Sequence, residues 1–119
     1  MELDKSTLFI DIDGTILYHH GSIEKIIECK PIVLPYVVEK LSQWKKEGHL
    51  IILTTARGEE IRYMTEYHLK ECKIPYDMLI MGITKGIRYI INDTKNSYVG
   101  ETCKAITVER NSGFRKVVL

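Results

Sequence analysis

Residues 7–15 read Thr-Leu-Phe-Ile-Asp-Ile-Asp-Gly-Thr. The apolar run over residues 7–12 predicts a buried strand, and Asp13 with Gly14 ends it. Because side chains alternate along an extended segment, Asp11 and Asp13 point to the same side. Two carboxylates this close repel each other unless a cation or a proton lies between them. The pair therefore suits metal binding, or a division of labour in which one acid attacks and the other transfers protons.

Strand and helix patterns alternate along the rest of the chain. The predicted elements are a strand at 7–12, a helix at 34–46, a strand at 49–54, a helix at 59–72, and short strands at 78–81, 87–92 and 105–109. The strand at 49–54 is apolar on both faces, as a central parallel strand should be. This alternation predicts an α/β fold, with a parallel sheet covered by helices, in a single domain over residues 1–119.

Composition excludes several classes of protein. With 17 basic and 16 acidic residues, the net charge of +1 gives no broad footprint for nucleic acid or an anionic membrane. Cys29, Cys72 and Cys103 are far apart and lack CxxC spacing, which favours reduced thiols over disulfides or a zinc site. No apolar run approaches the roughly 18 residues that span a bilayer, and the N-terminus has no signal-peptide pattern. We expect a soluble, cytoplasmic protein.

Polar residues cluster where the predicted strands end, and parallel sheets bind ligands beyond the carboxyl ends of their strands. The second strand is followed by residues 54–58, Thr-Thr-Ala-Arg-Gly, whose hydroxyls, guanidinium and helix-start N–H groups favour an anion. Lys85 precedes the predicted strand at 87–92, and Asp93 follows it. Together with the first two acids, this set is what phosphoryl transfer to a carboxylate requires.

These motifs resemble those of the haloacid dehalogenase (HAD) superfamily of phosphatases. The run Asp11-Ile12-Asp13-Gly14-Thr15 is similar to the first motif, and Thr55, Lys85 and Asp93 are similar to the second, third and fourth. The resemblance implies a Rossmann-like three-layer sheet of strand order 5-4-1-2-3. The short intervals between the motifs leave no room for a cap domain. The chain is also similar to small capless members linked to capsular polysaccharide biosynthesis.

The resemblance also implies a role for each motif residue. Asp11 attacks phosphorus and forms an aspartyl-phosphate, while Asp13 protonates the leaving group and then activates water. Thr55 and Lys85 hold the phosphoryl group. The composition of the loop at residues 54–58 adds Ala56 and Arg57 as candidate phosphate-binding residues. Mg²⁺ is bound by the side chains of Asp11 and Asp93 and by the backbone carbonyl of Asp13. Because the fourth motif has a single carboxylate, Asn92 and Asn96 are candidates to complete the metal shell.

Several other residues have two interpretations. Arg57 either binds substrate or pairs with Glu59 or Glu60. His19 and His20 fall where the family has a mobile flap, and one of them is a candidate substrate contact. His68 is interpreted as a residue on the face of a helix. Arg110 and Asn111 follow the last predicted strand and are candidates to line the site.

The resulting hypothesis is a Mg²⁺-dependent hydrolase of a small phosphomonoester, such as a sugar phosphate, with self-association as a further expectation. One alternative is a phosphatase of nucleotides or polynucleotide ends. The other is a non-catalytic HAD-like binding or regulatory module, which the single carboxylate at Asp93 keeps open.

Overall fold

The computed structural model describes residues 5–95 and 100–119. Its elements are β1 (Thr7–Asp11), α1 (Ile23–Glu28), α2 (Val37–Lys46), β2 (Leu50–Thr55), α3 (Arg62–Glu71) and β3 (Met78–Met81), with a 3-10 turn at Glu59–Ile61 before α3. Helices separate the three strands, so the fold class is α/β, as predicted. Within the described ranges, none of the helices is both long and apolar enough to cross a membrane.

The three strands form one parallel sheet in the order β1-β2-β3. Asp11 lies opposite Thr54, and Thr55 lies opposite Met81, so the carboxyl ends of neighbouring strands meet at one edge. In β2, residues 51–53 are all buried, and Ile51 and Leu53 belong to the core cluster on one face of the sheet. On the opposite face, Phe9, Met78 and Ile80 of the flanking strands are exposed. The predicted strands at 7–12, 49–54 and 78–81 are thus confirmed to within one residue at each end.

The core lies between the sheet and α2. Val37, Leu41 and Trp44 of α2 are buried at helical spacing. Near the C-terminus, Phe114 packs on Trp44 with ring centroids 5.8 Å apart, and Val117 joins the same cluster. Each fully buried side chain of this size contributes roughly 1.5–3 kcal/mol to folding. The C-terminal segment is therefore held against the same core that supports the sheet.

The structure corrects the helix boundaries. The predicted helix at 34–46 begins only at Val37, because Tyr36 before it has a left-handed backbone with φ 63°. The predicted helix at 59–72 is divided into the 3-10 turn and α3. The helix α1 was not predicted, although Ser22 caps it by accepting a hydrogen bond from the Lys25 N–H at 3.2 Å.

The predicted strands at 87–92 and 105–109 are wrong for this structure, since neither range is a strand. Strand-forming residues fit a pleated, half-buried surface, and a strand also needs a neighbour for its backbone hydrogen bonds. Among the described residues β1 pairs only with β2, and Ile91 is 95% exposed. Residues 5–95 and 100–119 therefore contain three strands, whereas the predicted order 5-4-1-2-3 requires five.

Candidate active site at the end of β1

The chain turns sharply where β1 ends. Gly14 has φ 88°, a left-handed conformation that costs glycine little. Its N–H donates to the Leu17 carbonyl at 2.7 Å, and the Leu17 N–H donates to the Ile12 carbonyl at 3.0 Å. These bonds hold the loop closed, so both Asp11 and Asp13 remain at the carboxyl edge of the sheet.

Asp11 is half-buried and has two side-chain hydrogen bonds. The Thr15 hydroxyl donates to one carboxylate oxygen at 3.1 Å, and Arg88 Nη2 donates to the other at 3.3 Å. Burial raises the pKa of Asp11, while the Thr15 hydrogen bond and the Arg88 charge oppose that rise. A partly desolvated carboxylate with few donors is suited to attack an electron-poor centre or to bind a cation.

Asp13 is held by Arg57 through a bidentate ion pair. Arg57 Nε and Nη2 donate to the two carboxylate oxygens at 2.8 and 2.7 Å, and Nη1 donates to the Thr65 hydroxyl at 3.1 Å. The side chains are only 4% (Arg57) and 16% (Asp13) exposed. This fork geometry is the strong form of such a pair. Arg57 therefore positions Asp13.

The interpretation in which Arg57 pairs with Glu59 or Glu60 is wrong. Glu59 instead forms a two-point pair with Arg62, three residues later, at 2.7 Å. The predicted role of Arg57 as a direct phosphate ligand remains a prediction, since most of its donors are already engaged by Asp13 and Thr65.

Thr55 lies at the same edge as the two acids, at the end of β2. It is 2% exposed, and its hydroxyl accepts a hydrogen bond from the Arg57 N–H at 3.0 Å. The half-buried Ala56 stands between them. The loop after β3 closes on this turn, because the Gly82 N–H donates to the Arg57 carbonyl at 2.7 Å.

The remaining predicted residues are not gathered at this edge. Lys85, Asn92 and Asp93 are exposed, and the Asp93 carbonyl accepts a hydrogen bond from the Thr102 hydroxyl at 2.6 Å. Across 5–95 and 100–119, no three His, Cys, Asp or Glu side chains could together hold a metal ion. The described structure thus does not unite Asp93 with the first two acids, and Asn96 falls outside the described residues.

The histidines lie close to the Asp13–Arg57 pair. The ring of His20 packs edge-on against Tyr18 at a centroid distance of 5.2 Å. Among the described residues, His20 Nε2 and His68 Nδ1 are buried without a hydrogen-bond partner. Burial lowers the pKa of His68, and the Arg57 charge acts in the same direction.

Sequence reasoning missed Thr65 and gave His68 no role beyond the helix face. Both are buried on α3, three residues apart, with His68 7% exposed. The sequence did contain a signal for them. Residues three positions apart share a face of a helix, and this helix follows the loop at residues 54–58.

Comparisons with known proteins add information on the fold. No family model matches this chain, and no curated protein matches it. The structure is similar to the crystal structure of an MCSG target from Vibrio cholerae, with a TM-score of 0.52 and 17% identity. The match covers 77% of this chain and 85% of that protein. At this identity the likeness extends to the fold alone, and it agrees with a Rossmann-like arrangement of helices on a parallel sheet.

Proposed function

We propose that this chain is a HAD-like phosphomonoester hydrolase in which Asp11 is the nucleophile. The observation that carries the proposal is the placement of Asp11 and Asp13 at the end of β1, beside Thr55 at the end of the adjacent strand. Phosphoryl transfer needs a nucleophile, a proton donor on the leaving-group side, and donors for the phosphoryl oxygens. These three residues have the side chains for those tasks.

The reaction proceeds in two steps. An oxygen of Asp11 forms a bond to phosphorus as the ester bond breaks, and the leaving oxygen takes a proton from Asp13. Asp13 then removes a proton from water, which attacks the aspartyl-phosphate and releases inorganic phosphate. Arg57 holds Asp13 in place between these transfers. Its Nε and Nη2 donate to the two carboxylate oxygens at 2.8 and 2.7 Å.

Mg²⁺ dependence is part of the proposal. The side chains of Asp11 and Asp93 and the backbone carbonyl of Asp13 would hold the ion, which offsets repulsion between Asp11 and the phosphate when bound. The oxygen atoms that Asp11 and Asp13 offer are ligands of the kind that Mg²⁺ prefers. Asp93 is not beside them, so the full set requires residues 85–95 to approach β1.

The sheet order 5-4-1-2-3, without a cap, belongs to the same proposal. The observed order β1-β2-β3 corresponds to its 1-2-3 part, and the outer edge of β1 is unpaired among the described residues. Pairing of residues 87–92 with that edge would carry Asp93 to the carboxyl end of the sheet. The Arg88–Asp11 contact at 3.3 Å supports this step, because it already joins the two segments. A capless site would be open to a small phosphorylated metabolite such as a sugar phosphate.

Turnover of p-nitrophenyl phosphate tests the proposal. The parent protein should release nitrophenol with Mg²⁺ and lose this activity with EDTA, and Asp11→Asn should be inactive. Glu39→Gln is the matched control, because it removes an exposed carboxylate from α2. Equal rates for the parent and Asp11→Asn would refute the assignment of the nucleophile.

A non-catalytic phosphate-binding module is the second candidate. It is favoured by the engagement of both Asp13 oxygens with Arg57 and by the separation of Asp93 from the first two acids. A module of this kind would bind a phosphate ester in calorimetry and show no turnover at any Mg²⁺ concentration.

A further inference from the structure

The chain returns to the proposed active site near its C-terminal end, and Asn111 holds it there. The Asn111 N–H donates to the Gly14 carbonyl at 2.8 Å, and its side-chain oxygen accepts from the His19 N–H at 2.7 Å. Its φ of 64° is left-handed, a conformation that asparagine tolerates better than most residues. One residue thus ties the turn after the two acids to the segment that carries the histidines.

Arg110, the preceding residue, lies directly over the turn. A methyl group placed on Gly14 would lie 3.1 Å from Cγ of Arg110 and 3.8 Å from its Cδ. The side chain therefore runs across the loop that carries Asp13. Arg110 is exposed, and it forms no hydrogen bond or ion pair with any residue that the structure describes. Arg57 and Arg88, by contrast, are each paired with one of the two acids.

We propose that Arg110 is a substrate-binding residue that selects phosphate esters carrying a second oxyanion on the leaving group. This inference rests on the proposed hydrolase function. Asp11 forms an ion pair with Arg88, and Asp13 forms one with Arg57. The charge of Arg110 is therefore available to a ligand. Guanidinium is weakly hydrated and binds carboxylate or phosphate through two parallel hydrogen bonds. The two hydrogen bonds of Asn111 hold the backbone next to Arg110 beside the turn at Gly14.

The second oxyanion is either a carboxylate or another phosphate. Two pairs of ligands distinguish these possibilities. In the first pair, 3-phosphoglycerate carries a carboxylate that glycerol 3-phosphate lacks. In the second pair, fructose 1,6-bisphosphate carries a phosphate that fructose 6-phosphate lacks. Calorimetry on the Asp11→Asn protein measures binding without turnover. In at least one pair, we expect the ligand with the second oxyanion to bind about 10-fold more tightly than the ligand without it.

Adding Arg110→Gln should reduce that preference to about 2-fold or less, and Arg110→Lys should retain an intermediate preference because it keeps the charge without the fork. Arg115→Gln is the matched control, since it removes an exposed guanidinium from the same segment and should preserve the preference. Asn111→Gly should weaken the preference because it loses the bond to His19, whereas Asn111→Asp keeps the acceptor and should restore it.

Absence of any preference in the Asp11→Asn protein, or a preference that survives Arg110→Gln, overturns the proposal. Turnover by the parent protein is a separate measurement, and it tests the hydrolase function independently of ligand preference. An inactive parent that still prefers the esters with a second oxyanion, and loses this preference with Arg110→Gln, would refute hydrolysis and support the binding role.

Discussion

Replacing Arg57 with Met should destabilise the protein by about 3 kcal/mol. The guanidinium is 4% exposed and donates three hydrogen bonds, two of them to the Asp13 carboxylate at 2.7 and 2.8 Å. Met retains most of the aliphatic stem and removes the donors, leaving the carboxylate shielded from water without a partner. Breaking a buried ion pair on one side costs about 3–5 kcal/mol, and the lower end applies because Asp13 is 16% exposed.

Urea unfolding at neutral pH measures this cost. With a slope of about 2 kcal/mol per M for a small domain, the midpoint should fall by about 1.5 M. The control is Arg62→Met, which removes an exposed pair with Glu59 and should lower the urea midpoint much less than Arg57→Met does. In a double-mutant cycle, Arg57→Met with Asp13→Asn should cost at least about 1.5 kcal/mol less than the sum of the single changes. Equal costs at 57 and 62, or strict additivity in the cycle, would refute the bidentate pair.

Three further substitutions probe other parts of the structure. Gly113→Ala should cost about 2–3 kcal/mol in thermal unfolding, because φ is 82° and a methyl group would lie 2.4 Å from the Pro35 carbonyl oxygen; Gly86→Ala, with open space around it, should cost under about 0.5 kcal/mol. Burial lowers the pKa of His68 in the folded protein. As the pH falls below the ordinary histidine pKa of about 6.5, the unfolded chain binds more protons than the folded protein, and this lowers the free energy of unfolding. The parent should therefore lose more stability than His68→Gln between pH 7.5 and 5, and parallel urea midpoints would contradict this. The Ile51 N–H and the Lys45 ammonium lower the pKa of Asp77, so its contribution to stability is present above about pH 4 and is lost as the pH falls through the lowered pKa. Asp77→Asn should be less stable than the parent at pH 7 and show a flatter decline below pH 4, and an acid profile identical to that of the parent would count against this pair.

The first three strands could be predicted because each is a continuous apolar run between polar turns. Residues 78–81, for example, are only four residues long, yet the observed strand is Met78–Met81. The position of Asp11 and Thr55 at one edge also follows from sequence, since parallel strands share the side on which their carboxyl ends lie.

Other features required the three-dimensional structure. Arg57 and Asp13 are 44 residues apart, whereas Glu59 and Glu60 are close to Arg57 in sequence. Proximity in sequence therefore indicated Glu59 or Glu60 as the partner of Arg57, which is wrong. In the structure Glu59 pairs instead with Arg62, because residues three positions apart are neighbours on a helical turn. For residues 87–92 the apolar composition predicted a strand, but composition does not establish whether a neighbouring edge is paired.

The proposed hydrolase function requires that Asp11 form a covalent bond to phosphorus. Its most direct test is to treat the protein with a phosphate ester and Mg²⁺, quench it in acid, and reduce it with borohydride, which converts an aspartyl-phosphate to homoserine. Peptide mapping by mass spectrometry should find homoserine at position 11 and none at position 13. Turnover of the ester with no modified Asp11, or with the label on another residue, would contradict the account.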